Sequence, residues 1–153
     1  MNIINRLNQH QECISQLSIC IEILKVYNCR AGEVLSAEWA KYHKDQFLIL
    51  SAEKKSSNVI IRDRFILQQI EQLPVLHPTK IFPSVNYGIL YRHCKKYYSH
   101  LFVKFKGRTR YKVTHGFRYY AVNTIDIETE IRDILHHRSI KSGKFYKLKK
   151  ASA

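Results

Sequence analysis

The sequence predicts an α+β fold, mainly helical with a small antiparallel β-sheet. Three observations predict it. Residues 8–27 place Cys13, Leu17, Cys20, Ile21 and Leu24 at helical spacing. Two β-rich runs, FLIL (47–50) and NVIIR (58–62), are joined by the short polar stretch SAEKKSS. Good helix-capping residues recur at Asp63, Ser84, Thr114 and Asp126.

The elements follow in order. The first helix seats Cys13 and Cys20 on one face, which reads them as reduced core thiols, and Cys29 and Cys94 add no CxxC pairing. A zinc site on His93 and Cys94 is disfavoured, because adjacent side chains of a helix face apart. A second short helix follows Arg30 and carries Val34 and Leu35 inward. The two strands form a hairpin that presents Lys54 and Lys55 at its turn. Asp63 caps a helix that ends before Pro74, and Pro78 and Pro83 keep the next segment irregular. Ser84 caps a further helix through about Tyr98. The stretch KFKGRTRYK (104–112) reads as a mobile basic loop, and Thr114 and Asp126 cap the last two substantial helices.

No repeat, low-complexity tract or linker divides the chain, so residues 1–153 are expected to form a single domain. The apolar share of 45% is that of a globular protein and argues against disorder. No run suffices to span a bilayer and no signal peptide opens the chain. A soluble, cytoplasmic protein without a membrane partner is expected.

Charge points to the partner. The formal net charge is +14, and it is unevenly placed: after Glu71 no acid appears until Asp126. That interval holds Lys80, Arg92, Lys95, Lys96, Lys104, Lys106, Arg108, Arg110, Lys112 and Arg118, interleaved with tyrosines and phenylalanines. Such a field attracts a polyanion and releases counterions on binding. Double-stranded DNA is the expected partner, held by Lys95, Lys96 and the cations of 104–112.

Metal-free cleavage of a phosphodiester needs a nucleophile, a proton acceptor, cations for the phosphoryl oxygens and an acid for the leaving alkoxide. The chain offers each. Arg30 opens the helix in CRAGEVL with Glu33 three residues on. His115 and Arg118 in THGFRYY are one helical turn apart. His137 precedes Tyr146 by nine residues, in a stretch with six basic residues and no acid. Arginine suits the phosphate because its fork donates two hydrogen bonds to one group.

The order Arg30-x-x-Glu33, a hairpin lysine, His115-x-x-Arg118, LHH (135–137) and Tyr146 resembles the catalytic domain of tyrosine recombinases, the phage-integrase family. The resemblance spans about residues 10–147. It implies that family's catalytic-domain fold, without the N-terminal DNA-clamping domain of complete recombinases. It further implies that Tyr146 attacks a DNA phosphate to give a 3′-phosphotyrosyl link, while Arg30 and Arg118 hold the non-bridging oxygens. His115 would take the phenolic proton or bond the phosphate, and His137 would add a hydrogen bond. Lys55, or Lys54 in a hairpin one residue longer, would protonate the leaving 5′-oxygen. Glu33 would orient Arg30. His136 stands where the family has glycine, which makes it the alternative to His137. No cofactor or metal is implied. The implied partners are duplex DNA and further copies in a DNA-bound tetramer, and the implied location is the nucleoid. The alternatives are a catalytically silent DNA-binding module of the same fold and a type IB topoisomerase-like relaxing enzyme.

Overall fold

The computed structural model describes residues 3–52, 57–99, 103–105, 108–110 and 117. An α+β arrangement emerges. Helix α1 (Ile3–Tyr27) starts five residues before the predicted boundary. Its later turns bury Ile19, Cys20, Ile23 and Leu24. It stops where Asn28 takes the left-handed conformation (φ 52°) and its N–H closes on Leu24 O at 3.0 Å. Asparagine tolerates that region better than most residues, which suits it to end a helix.

Helix α2 (Ala31–Leu35) follows at once, with Val34 fully buried and Leu35 packed at the core margin. A single 3₁₀ turn (Trp39–Lys41) leads into strands β1 (Tyr42–His43), β2 (Phe47–Leu50) and β3 (Val59–Ile61). They form one antiparallel sheet in the order β1-β2-β3, with Leu48 opposite Ile61 and Leu50 opposite Val59. Those four side chains are fully buried while Ile60 faces outward. The alternation expected of a one-faced sheet is therefore obeyed, and each fully buried aliphatic contributes about 1.5–3 kcal/mol.

Helix α3 (Arg64–Glu71) begins as predicted: Asp63 accepts the Ile66 N–H at 3.0 Å. Its apolar face sends Ile66, Leu67 and Ile70 inward. The proline-bearing segment that follows is irregular but fastened, since Trp39 N–H donates to Thr79 O (2.9 Å) and Ile81 N–H to Ala37 O (3.1 Å).

Helix α4 (Tyr87–Tyr97) corrects one expectation. Its cap is Asn86, which accepts the Ile89 N–H at 2.8 Å, and not Ser84. Ser84 is committed elsewhere. Its N–H donates to Gln16 Oε1 (2.9 Å), and Gln16 Nε2 donates to its Oγ (3.3 Å). Gln16 is only 1% exposed, so this amide must find partners and captures the serine.

Within the stretch predicted as a mobile loop, the described residues instead pair as a β-ribbon of β4 (Val103–Phe105) and β5 (Arg108–Arg110). The register explains why so basic a sequence pairs. Lys104 is paired with Thr109, Phe105 with Arg108 and Val103 with Arg110, so the register pairs no cation with another. The caps expected at Thr114 and Asp126 lie outside the described residues.

Candidate active site

Arg30 stands at the corner where α1 gives way to α2. Cys29 before it is fully buried, and Arg30 itself is extended (φ −79°, ψ 148°) as the N-cap of α2. A guanidinium has donors only, so it cannot accept the N–H groups that a serine or aspartate would at this position. Glu33 supplies the missing order. Its carboxylate, in a residue 1% exposed, accepts the Arg30 backbone N–H at 2.9 Å. The Glu33 N–H donates back to Arg30 O at 3.1 Å. The Arg-x-x-Glu spacing thus builds half of a capping box, and a buried carboxylate fixes the backbone from which the arginine leaves.

Helix α2 packs against both α1 and α4. At the C-terminal end of α4, the half-buried Tyr98 meets three groups. Lys25 Nζ of α1 lies 5.9 Å from its ring centroid, the His93 ring lies at 6.2 Å, and Phe117 lies edge-on at 5.0 Å. Phe117 belongs to the core and is 8% exposed. It is also the residue between His115-Gly116 and Arg118. Phe117, the described residue of the HGFR segment, is therefore anchored against Tyr98 at the end of α4, and Lys25 of α1 lies over the same ring.

Lys95 and Lys96 occupy the last turn of α4 and are exposed, with Lys96 Nζ 5.2 Å from the Tyr97 ring centroid. Cations at a helix C-terminus also offset the macrodipole, so their place has a structural cause besides any ligand. Lys104, Arg108 and Arg110 sit on the ribbon. The other site residues, Lys54, Lys55, Lys106, Lys112, His115, Arg118, His136, His137 and Tyr146, lie outside the described residues.

Burial favours the neutral forms of the thiol and the imidazole on α4. Burial pushes the Cys94 thiol up to about 11. Burial, followed by the charge of Lys96, holds the His93 imidazolium below its usual range. No group of three or more potential metal ligands occurs among the described residues. The four cysteines form no disulfide, with Cys20, Cys29 and Cys94 buried and Cys13 half-buried. Among the described residues, no helix is long and apolar enough to cross a membrane.

Two polar devices escape sequence reasoning. The Tyr27 hydroxyl accepts the N–H groups of both Arg62 and Asp63 at 2.9 Å, tying the end of α1 to the start of α3. On the surface Tyr42 donates its hydroxyl to Glu71, which also pairs with Lys44 at 3.4 Å. Neither pairing leaves a local signature, because the partners are 29 to 36 residues apart. The ribbon did leave one in the sequence: two short runs with a glycine, Gly107, between them.

Comparison with known proteins returns no matching family model and no matching curated protein.

Proposed function

We propose that this chain is the catalytic domain of a tyrosine recombinase, breaking and rejoining duplex DNA through a 3′-phosphotyrosyl intermediate. The observation that carries the proposal is the buried Glu33 carboxylate clamped to the backbone of Arg30, at the start of a helix that packs against α4, whose C-cap Tyr98 receives Phe117 of the HGFR segment. A backbone held in this way would present the Arg30 guanidinium to a phosphate from a fixed origin.

In the proposed reaction the Tyr146 phenol oxygen attacks phosphorus while His115 accepts its proton. Arg30 and Arg118 neutralise the non-bridging oxygens as charge gathers there, and His137 donates a further hydrogen bond. The bond from phosphorus to the 5′-oxygen breaks, and a hairpin lysine, Lys55 or Lys54, supplies that oxygen's proton. Attack by a different 5′-hydroxyl on the phosphotyrosyl linkage reverses the sequence and joins new strands. Phosphodiester bond energy is conserved in the protein linkage, so no nucleotide cofactor is consumed.

Incubation with nicked duplexes of randomised sequence traps this intermediate, because the short 5′-fragment diffuses away. A covalent protein–DNA band is expected on a denaturing gel, and Tyr146→Phe should abolish it. An adduct that survives Tyr146→Phe would reject the nucleophile.

The cationic ribbon favours a second reading, in which the chain binds duplex DNA without chemistry. Salt-sensitive binding with no adduct on any member of the library would establish that reading in place of the first. Relaxation of a supercoiled plasmid of arbitrary sequence would identify a type IB topoisomerase-like enzyme.

A further inference from the structure

Helix α1 carries an apolar seam that outruns the core. Ile3, Leu7, His10, Ile14, Leu17, Ile21 and Leu24 succeed one another at alternating steps of four and three residues. That is the spacing of the a and d positions of a coiled coil. The C-terminal part of the seam is used within the fold: Ile21 and Leu24 are buried and Leu17 packs against the core. The N-terminal part is left open, with Ile3 75%, Leu7 61% and Ile14 51% exposed. An exposed stripe that is apolar except at His10 suits a contact surface.

We propose that the stripe is a homodimer interface, in which the N-terminal halves of α1 from two copies pair antiparallel. Charge selects the partner. Between Ile3 and Gln16 the only acid and the only Lys or Arg are Glu12 and Arg6, which cancel, in a chain of net charge +14. A second copy can approach along this helix without the repulsion it meets along the basic region that follows Glu71.

Charge also selects the orientation. Antiparallel pairing of Ile3 with Ile14 and of Leu7 with His10 brings Arg6 within one residue, about 1.5 Å of axial rise, of the level of Glu12 of the partner subunit. It sends the two basic bodies to opposite ends of the helix pair, beyond a Debye length of about 8 Å at physiological salt. A parallel pair would set them side by side. The contact is isologous and closes at two copies. It needs no DNA and does not depend on the proposed reaction.

Sedimentation velocity on the nuclease-treated full chain tests the proposal. The expected mass is twice the 18.1 kDa of one chain, with a dissociation constant of about 1 μM. Raising the salt should leave the dimer intact or strengthen it, because the contact is apolar and the bodies repel. Leu7→Glu and Ile14→Glu should each weaken it about 100-fold or more, since each change strikes both copies. Their circular dichroism should be unchanged, and so should their melting temperature at concentrations where wild type is monomeric, as both positions are exposed in the monomer. Ile60→Glu, at a 44% exposed position on β3, should leave the mass unaltered. A single-chain mass at every concentration, a dimer that survives Leu7→Glu, or one that Ile60→Glu breaks equally would each overturn the proposal.

Discussion

Phe117 lies edge-on to Tyr98, with ring centroids 5.0 Å apart and planes inclined by 67°. The contact joins a residue just before Arg118 to the C-cap of α4. Tyr98 in turn lies under Lys25, in the last turn of α1, so one aromatic ring links α1, α4 and the HGFR segment.

That linkage should be visible in stability. Phe117→Ala is expected to cost about 3–5 kcal/mol, the usual loss for a buried phenylalanine. A double-mutant cycle with Tyr98→Ala should give a coupling of about 0.5–1.5 kcal/mol, as found for aromatic pairs. Urea denaturation measures both. Additive losses would show that the two rings act independently.

Glu33 permits a finer separation of acceptor from charge. Glu33→Gln keeps an oxygen for the Arg30 N–H and should cost less than about 1 kcal/mol. Glu33→Ala strands that N–H and should cost about 1–3 kcal/mol. Under the proposed reaction, adduct formation on the nicked duplex falls sharply for Glu33→Ala and is largely retained for Glu33→Gln. Equal losses would mean that the negative charge matters rather than the fixed backbone.

The Tyr42–Glu71 pair predicts a pH signature. The hydrogen bond from Tyr42, aided by Lys44, holds the Glu71 carboxyl below its ordinary value of 4.5. A depressed carboxyl contributes stability in full above its unfolded value, and that contribution is lost as pH falls through the lower folded value. The Tyr42 phenol is pushed up from 10.0, first by burial and then by Glu71. Its contribution is complete below pH 10.0 and disappears as pH rises above that value. Tyr42→Phe removes both arms. Melting curves should show wild type ahead of Tyr42→Phe near neutrality, with the difference shrinking below pH 4.5 and above pH 10.0. A constant difference across the range would place the effect in packing instead.

The ribbon should act on nucleic acid through charge. Replacing Lys104, Arg108 or Arg110 by glutamine should weaken duplex binding by a similar factor on unrelated sequences. Each loss should also lower the slope of log affinity against log salt by about 1. Fluorescence anisotropy at several salt concentrations reads both quantities. A defect confined to one sequence would indicate base contacts instead of phosphate contacts.

Local chemistry made much of the fold legible. Asp63 caps α3 because its carboxylate and the Ile66 N–H are three residues apart, a distance the chain itself sets. The hairpin register likewise follows from alternation, since a slip by one residue would turn Leu48 and Leu50 to water. Arg30 and Glu33 paired for the same reason, although the spacing alone did not reveal that the carboxylate grips the backbone. Misreadings arose where distant groups competed. Ser84 looked like a cap until Gln16, 68 residues away, claimed it. Charge density hid the ribbon at 103–110, because a register that keeps cations apart is a property of two strands together.

By itself the sequence determined the helices with strong periodicity, the one-faced hairpin, the basic character and the ordered set of polar residues. Each of these depends on neighbours along the chain, where spacing and side-chain chemistry suffice. Only the tertiary structure decided that Tyr98 receives Phe117, that Tyr27 bridges α1 to α3, and that half of the α1 seam faces solvent. Those outcomes turn on which surfaces remain after the core has closed, and desolvation of groups far apart in sequence has no local signature.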